Sequence, residues 1–86
     1  MTGAPWPARL SPQASKVLAE LPPHATEMLR DVLDIAGRDP WTWPPFDARD
    51  PEGEDVRAAA AGQLTAVYWV NRAAARLYVV DIVWLG

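Results

Sequence analysis

No cysteine occurs among the 86 residues. Disulfide staples, thiolate metal sites and cysteine nucleophiles are therefore excluded, and the absence fits a reducing cytoplasm. His24 is the single histidine, which rules out a histidine-based metal cluster. Ser11 and Ser15 are the only serines, and both fall in one short helical stretch away from His24, so no serine triad can be drawn. Lys16 is the sole lysine, and Gly37, Gly53 and Gly62 stand alone rather than in a phosphate-cradling loop. No stretch approaches the roughly 20 apolar residues needed to span a bilayer. The first ten residues lack the apolar run of a signal peptide. Nothing in this inventory calls for a cofactor or a membrane.

What remains is a short chain that is half hydrophobic, with five tryptophans and nine prolines. That length and apolar content predict one domain over residues 6–86 behind a loose tail at 1–5. The net charge of −3 weighs against strong direct nucleic-acid binding. The charge is unevenly placed, however. Asp47, Asp50, Glu52, Glu54 and Asp55 crowd one segment, whereas Arg57, Arg72, Arg76 and Asp81 are the only charges after Val56. The second half is thus locally basic. Its arginines read either as solvated strand ends or as a small cationic patch.

Trp6 to Leu10 alternates and reads as a short strand, confined by Pro7 to an edge. Ser11-Pro12 is a helix start, with the serine as N-cap. Ala14, Val17, Leu18 and Leu21 then recur at helical spacing until Pro22-Pro23 stops the run. A second helix is expected from about Pro23 to Ala36, with Ala25, Leu29, Val32, Leu33 and Ala36 inward and Gly37 as its C-terminal cap. Two helices joined this tightly form an αα-hairpin. Arg38 to Asp55 is a long irregular segment containing Trp41, Trp43 and Phe46. Gln63 to Val70 puts Leu64, Ala66, Tyr68 and Val70 on one face of a strand. Arg76 to Leu85 reads as a strand buried on both faces. Val56 to Ala61 fits a strand closed by Gly62-Gln63, although its alanines would also fit a helical turn.

The candidate functional groups follow from this layout. The acidic segment could hold a hard cation but lacks the spacing of a calcium loop, so a solvated loop is the better reading. Asp81 lies mid-run in the most apolar strand, where an unpaired carboxylate is costly to bury. Arg57, Arg72 or Arg76 is its expected partner, and a perturbed acid in a cleft is the alternative. Trp41 and Trp43 either fold over the sheet to enlarge a small core or form an exposed patch for a partner.

Several stretches resemble the RelE/ParE family of toxin–antitoxin toxins. Gly37-Arg38-Asp39-Pro40 is similar to the family's helix end. Asp55-Val56-Arg57, then Gly62, then Ala66 to Val70 resembles its central hairpin, and Leu77 to Gly86 its last long strand. The resemblance implies an α+β fold: an N-terminal edge strand and an αα-hairpin packed on a three- to four-stranded antiparallel sheet. It implies a cytoplasmic toxin that cleaves mRNA on the ribosome or inhibits gyrase and is neutralised by an antitoxin. Residue by residue, Arg57 falls where the family places an arginine leading into the hairpin, Gly62 at its hairpin glycine and Tyr68 at its strand tyrosine, which makes Arg57 and Tyr68 the candidate catalytic residues. Arg72 and Arg76, as the remaining cations of this half, and Trp41 and Trp43, as the aromatic patch, are the candidate binding residues. The family's hairpin Tyr-Arg falls at Leu64-Thr65, its lysines have no counterpart, and the segment after its last strand is missing beyond Gly86. Cleavage needs a base, cations for the phosphorane charge and an acid, so weak or absent nuclease activity is expected. A non-catalytic interaction module, as a homodimer or regulator, is the second expectation.

Overall fold

The computed structural model describes residues 5–45 and 55–86. The elements are β1 (Ala8–Leu10), α1 (Pro12–Glu20), α2 (Pro23–Arg38), β2 (Val56–Ala61), β3 (Leu64–Asn71) and β4 (Arg76–Trp84). They build one four-stranded sheet in the order β1-β4-β3-β2, with both helices on one side of it. The α+β class and the element order match the expectation. The sheet is mixed rather than wholly antiparallel, because β1 pairs with β4 in parallel. Two hairpin steps leave β2 and β4 running the same way, and β1 shares that direction.

The helix side carries the core. Ala14 of α1 and Leu29, Val32 and Ala36 of α2 pack on Ala59, Leu64, Ala66, Tyr68, Val70, Leu77, Val79 and Ile82, all of them buried. Small residues on the helices let the backbone approach the sheet, while the strands supply the bulk. Val56–Ala61 is strand: its alanines pair with Leu64 to Val67, and Gly62 at φ 58° occupies the first central position of a two-residue turn.

Ser11 joins helix to sheet. Its hydroxyl accepts the Ala14 N–H at 3.0 Å, capping α1, and donates to the Val80 carbonyl at 2.8 Å. Its N–H donates to the Val79 carbonyl at 2.8 Å. Those two carbonyls belong to a β-bulge: Tyr68 faces Val79 and Val67 faces Asp81, which leaves Val80 as the extra residue of β4.

Three further expectations are corrected. α2 runs through Gly37 to Arg38, so Gly37 is not the cap residue. Its small size is needed because a Cβ there would lie 2.7 Å from the Trp6 carbonyl oxygen, and its own carbonyl accepts the Trp6 N–H at 2.9 Å. β4 is not buried on both faces. Helices cover one side only, and Tyr78 and Val83 are exposed on the other. Asp81 takes no arginine among the described residues: its Oδ1 accepts the N–H of the next residue, Ile82, at 2.9 Å. The acidic segment falls largely in 46–54 and the tail in 1–4, outside the described residues, as does Phe46. No helix among the described residues is long and apolar enough to cross a membrane, and no group of three metal-ligating side chains occurs among them.

Candidate functional site

Strand register decides which of the expected residues meet. Arg57 on β2 lies directly across from Tyr68 on β3, and odd–even alternation turns both toward the helices. The chain leaving α2 closes over them. Pro45 bridges Arg57 in antiparallel sense, and the Ala58 N–H donates to the Pro44 carbonyl at 3.1 Å. Arg57 Nη1 donates to the Trp43 carbonyl at 3.1 Å. The Tyr68 hydroxyl, fully buried, donates to the Pro40 carbonyl at 2.7 Å. Burial pushes the Tyr68 hydroxyl up to about 12; the Arg57 charge opposes this and Asp39 adds to it. The phenol is therefore neutral at physiological pH and committed as a donor. Arg57 Nε and Trp43 Nε1 are buried without partners, so two donors here are held without full compensation.

Arg72 and Trp41 form a second group at the neighbouring end of the sheet. Arg72 donates to both oxygens of Asp55 over 2.6 to 3.2 Å. Its guanidinium also lies 5.1 Å from the centre of the Trp41 ring, within cation–π range. Trp41 meets Trp6 edge-on at 5.8 Å. The hydrogen bond from Arg72 holds the Asp55 carboxyl below the usual carboxylate range despite some desolvation. The two expected roles for the tryptophans are thus divided. Trp43 packs on the core, while Trp41 remains partly exposed.

Arg76 joins neither group. It opens β4 opposite Asn71, exposed, on the face of the sheet that the helices leave uncovered. That face carries a cluster that the sequence alone did not single out. Arg9 of β1 sits beside Tyr78 of β4, Tyr78 beside Trp69 of β3, and Trp69 beside Val56 of β2. Trp69 is 42% and Tyr78 37% exposed, and Val83 lies further along the same face. Two arginines flanking two aromatic rings can stack on and neutralise a planar or anionic partner. The available signal was alternation: once Leu64, Ala66, Tyr68 and Val70 face inward, Trp69 must face out.

No family model matches the chain, and no curated protein matches it by sequence. Solved structures do. A chain of the RelBE2 toxin–antitoxin complex of Mycobacterium tuberculosis superposes with a TM-score of 0.78 at 17% identity, over 93% of this chain and 98% of that one. The chain has a RelE-like fold. A chain of the archaeal RelE–RelB complex of Pyrococcus horikoshii OT3 agrees, with a TM-score of 0.68 at 17% identity over 94% and 96% of the two chains. Agreement nearly end to end at such low identity means that RelE-like architecture is held here by a largely different set of side chains.

Proposed function

We propose that this chain is the toxin-like member of a toxin–antitoxin pair, held by an antitoxin protein, with weak or absent ribosome-dependent mRNA cleavage. The observation that carries the reading is the RelE-like fold across almost the whole chain, in two neighbours both solved as complexes of toxin and antitoxin. The cytoplasm is the compartment this reading requires, and the ribosome or gyrase its target.

The chemistry supports weak rather than full activity. Arg57 and Tyr68 are the residues we place at the reacting end of any residual cleavage, with Arg72, Arg76, Trp41 and Trp43 in binding roles. Both reacting groups start from occupied hydrogen bonds, to Trp43 and Pro40. A phenol held near 12 is a poor proton acceptor at neutral pH. Releasing either group costs its present hydrogen bond before any bond in RNA is touched.

A second reading, a non-catalytic interaction module or homodimer, is favoured by the exposed Trp69, Tyr78 and Val83 on one sheet face. Tightly controlled expression in a bacterial host, with growth followed and mRNA 5′ ends mapped, tests both. Arrest relieved by a co-expressed antitoxin, with few or no codon-phased cuts, supports the first reading. Growth unaffected by folded protein overturns it in favour of the second. Abundant phased cuts overturn the weak-nuclease part.

A further inference from the structure

β1 is short, and it covers only the first part of its neighbour. It pairs with β4 at Leu77, Tyr78 and Val79 and ends at Leu10. The chain then turns into α1, and Ser11 takes the Val79 and Val80 carbonyls. From Asp81 to Trp84 the outer edge of β4 has no strand beside it among the described residues. The hydrogen-bond phase of that edge can be read. Ile82 turns its N–H outward, where the Asp81 carboxylate takes it at 2.9 Å, whereas the Leu85 N–H turns inward to the Gln63 carbonyl at 3.0 Å. By alternation Ile82 and Trp84 present their amide and carbonyl groups to the free edge, and Val83 does not.

A cavity of about 410 Å³ runs along this edge, walled on its other side by α1. Val17, Leu21, Ile82 and Trp84 supply apolar lining, and Glu20 and Asp81 bring two carboxylates to the same cavity. No basic side chain among the described residues lines it.

We propose that this groove receives an extended segment of a partner polypeptide, which adds as a strand to the Asp81–Trp84 edge and places a lysine or arginine between Glu20 and Asp81. An open strand edge supplies affinity through main-chain bonds, and flanking pockets supply specificity. The free edge is ~13 Å long, enough for four residues. Charge selects the occupant: an acidic segment meets two like charges, and a basic one meets their complement. Asp81 then has two states. Unbound, it closes the Ile82 N–H and blunts the edge, as charged residues on sheet edges do. Bound, a partner carbonyl takes that N–H and the carboxylate turns to the cation. The inference does not depend on the toxin-like reading.

The test uses the full chain, labelled with ¹⁵N, and a synthetic peptide Ac-Lys-Val-Lys-Val-Lys-Val-NH₂. Addition of the peptide is expected to shift the amide signals of Ile82 and Trp84 and to slow their hydrogen exchange. Two further peptides, N-methylated on the lysines or on the valines, separate the modes: one phase should lose binding and the other keep it. Glu20→Gln and Asp81→Asn keep the side-chain shapes, and the amide oxygen of the second variant can still accept the Ile82 N–H. Each should weaken the peptide about fivefold, the scale of a partly exposed ion pair. The peptide with glutamate in place of lysine should not bind. Equal binding by both methylated peptides, shifts confined to Trp69 and Tyr78, or no shift at millimolar peptide would each overturn the proposal.

Discussion

On the helix side of the sheet, Leu64, Ala66, Tyr68 and Val70 of β3 are all buried; on the other side of the same strand Trp69 is exposed, with Tyr78 of β4 beside it and Val83 further along. Both sides are rich in apolar and aromatic residues. The difference comes from supply of cover: α1 and α2 both lie on one side, and no second layer exists among the described residues. An aromatic residue such as Tyr68, closed off and hydrogen-bonded, belongs to stability. Trp69, one position along and on the other face, is free to meet a partner. Apolar character by itself therefore does not distinguish core from interface here: strand parity separates Tyr68 from Trp69, whereas Val67, on the outer face by the same parity, is nearly covered.

Truncation should separate the faces most strongly. Leu64→Ala, at a fully buried position, is expected to cost ~2–5 kcal/mol in urea unfolding. Val83→Ala, 40% exposed, should cost about 0.5 kcal/mol or less. Equal losses would mean that the outer face is covered in solution.

Tyr68→Phe keeps the packing and removes the donor to the Pro40 carbonyl, for an expected loss of ~1–3 kcal/mol. pH sharpens the same point. The Tyr68 hydroxyl is raised from 10.0 to about 12 by folding, so the fold favours its neutral form. Its contribution is complete below pH 10, and it is lost as pH rises through about 12. Alkaline unfolding monitored by circular dichroism should show this loss in the wild-type chain, and the Tyr68→Phe variant should lack that component.

Ser11→Ala removes both the cap on α1 and the tie to the Val80 carbonyl, and should cost about 1–2 kcal/mol by chemical denaturation. A gain rather than a loss is expected in the β3–β4 turn, which belongs to neither face. Ala75 there has φ 52°, a left-handed conformation that an alanine adopts at a penalty. Ala75→Gly should raise stability by about 1 kcal/mol, read as a higher denaturation midpoint.

By itself the sequence determined the elements of this protein. Ser11-Pro12 opens α1, Pro22-Pro23 separates the helices, Gly62-Gln63 turns one hairpin, and the alternation of Leu64 to Val70 sets the inward face of β3. These signals are local: a cap, a missing N–H, a left-handed turn and a two-residue period act within a few positions of the chain. The candidate site was legible only in part, and for the same reason. Arg57 and Tyr68 were picked from the sequence, but their meeting across β2 and β3 and the closing of Trp43 and Pro40 over them depend on strand register and the path of a long connection. Tertiary structure alone decided that Gly37 lies in α2 against the Trp6 carbonyl, that Asp81 turns to its neighbour's N–H instead of an arginine, and that β4 has an open face and an open edge. Each of these depends on which segment arrives from far along the chain, and on how much of the sheet two short helices and a three-residue strand can cover.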